Sequence, residues 1–216
     1  MLEHKAIAAR FNRLIGVCAL TALIFTGPAL AQDVPVLVIV GDSLTAGYGL
    51  APEDAFPVRL QKHLTGLGVA VRIENAGVSG DTTHGGLARL DWSVGDDADA
   101  VILELGANDA LRGMPPEQAR ANLDAMLLRL SQRKLPVLLA GMRAPRNMGP
   151  EYIEAFDRIF PELAKKYQVA FFPFFLEGVV SDPKLNQPDM IHPNSAGVEV
   201  IVKNITPYVV QLLKPN

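Results

Sequence analysis

Apolar positions alternate between two textures along this chain. Short runs that are apolar throughout, such as Pro35-Val36-Leu37-Val38-Ile39-Val40, are separated by longer stretches whose apolar residues recur every three or four positions. The first texture is that of a strand buried on both faces, the second that of an amphipathic helix. After the first strand, Phe56, Leu60 and Leu64 predict a helix over 52–67, with Pro52 in its first turn and Gly66 and Gly68 at its end. Strands follow over 69–75, 100–105, 136–140 and 169–172. Between them the spacing predicts helices over 83–92, 115–131 and 151–167, the last with Ile153, Phe156, Phe160 and Leu163 on its buried side and a kink at Pro161. Loops cover 141–150 and 173–193, and Asn194 caps a final helix that runs to 213. Apolar strands alternating with amphipathic helices imply an α/β fold, a parallel sheet covered on both faces.

In such a sheet ligands bind outside the carboxyl ends of the strands. Three polar turns fall there: the turn over 41–49, the turn at Gly80 and the turn at Asn108. Ser43 lies two residues past the first strand, where its side chain can point outward from a fixed backbone. An alcohol needs a base at neutral pH. His192, just before the last helix, can reach the same rim, with His84 second and His63 in a helix. Asp189 is three residues before His192, so a tight turn can return its carboxylate to the imidazole and fix the tautomer. Donors for a developing oxyanion are available at Gly80 (backbone N–H), Asn108 (side-chain amide) and the Ser43 N–H. On residues alone each has a plainer alternative. Gly80 can be a turn glycine, Asn108 a helix cap, and the segment from Asp189 to Asn194 a helix entry.

Composition changes the picture at one end. Lys5, Arg10 and Arg13 precede an apolar stretch over 14–25, then Gly27, Pro28 and Ala29-Leu30-Ala31. This is the pattern of a secretory leader over 1–31, cleaved before Gln32, and the stretch is shorter than the ~20 residues that span a bilayer. One domain over 32–216 is expected, exported to a periplasm or secreted, without stable membrane insertion once the leader is removed. Cleavage removes Cys18, the only cysteine, and with it any disulfide, thiolate nucleophile or cysteine ligand. The net charge of −3 speaks against a nucleic-acid partner. The charged fraction of 20% and apolar fraction of 49% speak against disorder.

Taken in order, Gly41-Asp42-Ser43-Leu44, Gly80, Gly106-Ala107-Asn108-Asp109 and Asp189-Met190-Ile191-His192 resemble the four motif blocks of the SGNH (GDSL) hydrolases. Wider stretches over 75–83 and 141–145 are similar to the exported thioesterase I/arylesterase/lysophospholipase L1 branch. The resemblance implies Ser43 as nucleophile, His192 as base, Asp189 as its orienting acid, and an oxyanion hole from Ser43, Gly80 and Asn108. It also implies a flavodoxin-like three-layer α/β/α sandwich on five parallel strands, with no cofactor and no metal. His84 has no part in that pattern.

The expected activity is hydrolysis of short to medium acyl esters, and of thioesters, through an acyl-enzyme on a small or lipid-like substrate. Leu111, Met114, Met142 and Met190 are candidates for an adaptable apolar groove, with Met148 and Phe174-Phe175-Leu176 near the same loops; the phenylalanines equally suit the core. Two alternatives remain: a carbohydrate O-acetyl esterase, for which Trp92 is the one tryptophan, and a non-enzymatic phosphate- or flavin-binding module, whose glycine fingerprint fails at Pro52. The oligomeric state is not encoded in any pattern found.

Overall fold

A computed structural model describes residues 34–214. The proposed leader over 1–31 lies outside the described residues. The described chain forms five parallel strands, β1 (Val36–Gly41), β2 (Arg72–Gly77), β3 (Ala100–Glu104), β4 (Val137–Ala140) and β5 (Ala170–Phe172). Their order is β2-β1-β3-β4-β5, the flavodoxin-like order with its switch point between β1 and β3. β1, β3 and β4 are buried along their whole length, as continuous apolar runs require.

The edges differ. β2 is half exposed and carries Arg72, which pairs with Glu74 and with Asp97; charge on an edge strand discourages pairing with another chain. β2 also begins three residues later than predicted. Gly68, at φ +76°, turns the chain, and the Val69 N–H is still satisfying the Leu64 carbonyl at the end of the preceding helix. The first cross-strand bond runs from Arg72 N to Pro35 O, 2.8 Å.

Two predicted helices are broken, each by a proline. The segment over 52–67 becomes a 3-10 turn, Pro52–Asp54, and then α2 (Phe56–Gly66), divided at Ala55, which is extended (φ −60°, ψ 144°), because Pro57 has no N–H to give to the carbonyl of residue 53. The segment over 151–167 becomes α6 (Pro150–Asp157) and α7 (Ile159–Tyr167), divided at Arg158, where Pro161 removes the bond to Asp157 O. The expected kink is a break. The other predicted helices form close to their expected bounds: α3 (Thr83–Ser93), α5 (Pro116–Gln132) and α8 (Ser195–Leu212), the last capped by Asn194 Oδ1 on Gly197 N at 3.1 Å. Two short helices sit in the rim turns, α1 (Ser43–Ala46) and α4 (Ala107–Leu111). α2 packs on α8, while α3 packs on α5, and α5 on α6 and α7. No helix among the described residues is long and apolar enough to cross a membrane.

Candidate active site

The first strand hands its last residues to a turn built for close approach. A Cβ on Gly41 would lie 2.6 Å from Glu104 Oε2 and would collide with Thr45, so only glycine lets the chain turn here. Asp42 follows, fully buried, and its Oδ1 accepts from Leu44 N at 3.0 Å, capping α1. Ser43 is the first residue of α1, at the carboxyl end of β1 beside the switch point.

Its Oγ lies 2.9 Å from Nε2 of His192, and Nδ1 of the same ring lies 2.7 Å from Asp189 Oδ2. Asp189 reaches back over three residues because Met190 takes a left-handed backbone, φ +59°, an uncommon state for a residue with a side chain and a mark of an imposed turn. The other Asp189 oxygen accepts from Ile191 N (2.9 Å) and His192 N (3.0 Å). These bonds, led by the one from the His192 backbone, hold the Asp189 carboxyl down at about 2. An ionised Asp189 keeps a proton on Nδ1 and leaves Nε2 free to accept from Ser43.

The histidine loop is fastened to the serine turn across 139 residues of sequence by Gln187, whose Nε2 donates to Tyr48 O (2.8 Å) and to Pro193 O (3.0 Å). The Tyr48 ring lies against the imidazole, 4.5 Å between centroids.

The possible oxyanion donors converge on the same turn. Asn108, in α4, donates from Nδ2 to Asp81 O (2.9 Å) and to Asp42 Oδ2 (3.1 Å). It thereby joins the residue before Ser43 to the residue after Gly80. Gly80 has φ +85°, a conformation a side chain would strain, and its carbonyl accepts from Arg112 Nη2 at 2.8 Å. Asp109 fixes α4 to the start of α3, its two oxygens taking Thr83 N (2.8 Å) and Thr83 Oγ1 (2.6 Å).

Beneath the turn lie two buried acids. Glu104 Oε2 accepts from Asp42 N at 3.3 Å, while Oε1 has no partner. Burial, and secondarily the charge of Asp42, pushes the Glu104 carboxyl well above its ordinary range. Burial likewise raises Asp42 to about 6, against the pull of its bonds from Leu44 and Asn108.

All five polar residues expected at the rim are therefore brought to it. The apolar candidates divide. Leu111 and Met190 are exposed, Met114 is partly buried with its carbonyl accepting from Tyr152 Oη at 2.8 Å, and Met142 is part of the core. Phe174 and Phe175 are buried, Phe175 edge-on to Phe56. His84 is exposed on α3 and Trp92 sits at the far end of that helix, nine residues or about 13 Å from Thr83. Four residues that organise the site were not singled out beforehand. Glu104 had a signal, an acid closing an apolar run; Arg89, Tyr48 and Gln187 had none. No cluster of three or more metal-ligating side chains exists among the described residues.

Residues 39–200 match the GDSL-like Lipase/Acylhydrolase family. Esterase TesA of Pseudomonas aeruginosa is 41% identical over 195 residues, covering 90% of this chain and 96% of the relative. Thioesterase 1/protease 1/lysophospholipase L1 of Escherichia coli strain K12 is 39% identical over 173 residues, covering 80% and 81%. Among solved structures, AlinE4, an SGNH-hydrolase family esterase, superposes with a TM-score of 0.71 at 45% identity, covering 85% of this chain and 98% of that one.

Proposed function

The chain belongs to the GDSL-like lipase/acylhydrolase family, and within it we propose that Ser43, His192 and Asp189 hydrolyse acyl esters and thioesters through an acyl-enzyme. That it is an ester-bond hydrolase follows from the family; the residues, the acyl range and the leaving group are the proposal. The observation that carries it is the unbroken relay from Ser43 Oγ through His192 to Asp189, at 2.9 and 2.7 Å.

In the proposed reaction Ser43 Oγ attacks the acyl carbon while its proton passes to His192 Nε2. The carbonyl electron pair moves onto oxygen, met by the N–H groups of Ser43 and Gly80 and by the Asn108 amide. Both protons of that amide already face protein acceptors, so Asn108 shares with the oxyanion the proton turned toward Asp42, the longer contact. Collapse expels the alcohol or thiol, which takes the proton from Nε2. Water then attacks the acyl carbon, its proton going to Nε2, and collapse releases the acid and returns that proton to Ser43. Asp189 keeps its negative charge throughout and stabilises the imidazolium.

An apolar acyl chain suits the rim. Tyr48, Val78, Leu111, Met190 and Ile191, all 43–53% exposed, sit on the loops that carry the polar residues. The exposed position of Trp92, at the far end of α3, offers no sugar platform beside Ser43. Nitrophenyl esters of increasing acyl length, with an acyl thioester in parallel, test the substrate class. A kcat/KM that rises from acetate toward medium chains supports it, and one that is highest for acetate and falls steeply thereafter contradicts it.

We also propose export, supported by the leader pattern over 1–31; a mature protein beginning at Gln32 in the exported fraction is the expected result, and an intact N-terminus in the cytosol the contrary one.

A further inference from the structure

The peptide group joining Gly41 to Asp42, one step before the proposed nucleophile, is gripped at both ends by a side chain, Glu104 at its N–H and Arg89 at its carbonyl. Its N–H donates to Glu104 Oε2 at 3.3 Å. Its carbonyl accepts from Arg89 Nη2 at 2.9 Å and from Val78 N at 3.0 Å. Arg89 does more. Its Nη1 donates to Ala76 O at 2.6 Å and Ser93 Oγ at 2.9 Å, and its Nε to Asp81 Oδ2 at 2.6 Å. One guanidinium thus spends four of its five donors in a planar fork. Three of the four go to the end of β1, the end of β2 and the residue after Gly80. The ion pair is largely sheltered, with Arg89 16% and Asp81 18% exposed.

We propose that Arg89, with Glu104 on the opposite side of the peptide, is a positioning residue that sets the Ser43 and Gly80 N–H groups at the spacing an oxyanion needs. This rests on the oxyanion reading given above. The Ser43 N–H belongs to the peptide that follows the gripped one, and rotation of either changes where it points. Gly80 has no side chain to anchor it; its turn is closed by Asp81 N on Val78 O at 3.0 Å and is otherwise held from outside, Asp81 by Arg89 and Asn108 and the Gly80 carbonyl by Arg112. Arg89 fastens the serine turn and the Gly80 turn to each other from the sheet side, as Asn108 does from α4. Lysine cannot replace this fork, because an ammonium is a point donor. Glu104, whose carboxyl burial pushes well above its ordinary range, accepts from the Asp42 N–H through Oε2 on the opposite side of the peptide.

A purely structural arginine would change stability and leave the chemistry of folded molecules intact. Displacing oxyanion donors lowers kcat with little change in KM, since the donors act on the transition state. The test measures kcat and KM on a nitrophenyl ester and the second-order rate of fluorophosphonate labelling, in wild type and in Arg89→Met, Arg89→Lys, Glu104→Gln, Glu104→Leu and Ser43→Ala. Near-ultraviolet circular dichroism reports folding. Arg89→Met is expected to lose ~100-fold in kcat and a similar factor in labelling rate, with KM within about threefold, on the scale of one lost oxyanion donor. Arg89→Lys recovers about a tenth of wild-type kcat. Glu104→Gln, which keeps an acceptor for Asp42 N–H, stays within about threefold, whereas Glu104→Leu falls at least tenfold.

A folded Arg89→Met with wild-type kcat and labelling rate overturns the proposal. If that variant does not fold, Arg89→Lys decides in the same way: wild-type kcat overturns, a tenfold loss at unchanged KM supports. If Ser43→Ala still labels, the catalytic reading fails first; if it does not label while the Arg89 variants react normally, only this inference falls.

Discussion

Asp42 and Asp189 are two carboxylates of one site with opposite displacements. Asp42 is buried under the serine turn and raised to about 6 by loss of solvent. Asp189 is on an exposed loop and lowered to about 2 by the backbone and side chain of His192. The serine side is made by the core: β1, β3 and α3 supply Gly41, Glu104 and Arg89, the first two buried and the third largely so. The histidine side is made by a three-residue turn through Met190, tied to the serine turn by the long-range contact of Gln187 with Tyr48. The contrast teaches that the proposed nucleophile and oxyanion donors are positioned by folding itself, whereas the proposed base is aligned mainly by bonds within residues 189–192. Substitutions on the serine side should therefore cost activity with stability, and removal of the His192 side chain activity alone.

Removing His192 tests the second half of that statement most severely. His192→Ala is expected to lose about 10⁶-fold in kcat with a melting temperature close to wild type; a large fall in melting temperature would erase the distinction between the two sides. Asp189→Asn comes next, with a loss of about 10⁴-fold, because the wrong tautomer is then presented to Ser43. Asn108→Ala, on the core side, is expected to lose 10²–10³-fold in kcat, about 3–4 kcal/mol of transition-state stabilisation. It should also lower folding stability by about 1–3 kcal/mol, since the buried Asp42 Oδ2 loses its donor. Wild-type stability in that variant would place Asn108 with the local side instead.

The smallest effect reads the contrast through pH. The folded pKa of Asp42 lies above its unfolded value, so the native state binds the extra proton between about 4 and 6, and Asp42 makes stability fall as pH rises through that window. Asp189 works the other way. Its folded pKa is below the unfolded one, so its contribution is present above about 4 and lost as pH falls toward 2. Melting temperatures across pH should therefore show Asp42→Asn losing the decline between 4 and 6, and Asp189→Asn losing the rise between 2 and 4, whatever the offset of each variant. Unchanged slopes would refute the assignment.

The residues of the proposed site were legible as candidates because each falls where a strand or loop ends: Ser43 after β1, Gly80 after β2, Asn108 after β3, and Asp189 with His192 before α8. Period and spacing locate such positions without any knowledge of packing. What supports them was not legible. Arg89 sits inside an amphipathic helix, where nothing in the spacing separates a guanidinium facing the sheet end from one facing solvent. Gln187 acts on a partner 139 residues away, a contact that only the folded chain creates. The breaks at Pro57 and Arg158 could have been read from proline's missing N–H, but the apolar period ran through both and concealed them. Met142 shows the reverse error of scale: a loop methionine close to the rim in sequence is part of the core.

In the proposed reaction Ser43 Oγ is the atom acylated. Treatment of wild type and Ser43→Ala with a fluorophosphonate, followed by intact-mass measurement and peptide mapping, addresses it directly. The account predicts a single phosphonyl adduct on the peptide containing Ser43 and none on the variant; an adduct of equal extent on Ser43→Ala, or one mapped to another residue in wild type, would contradict it.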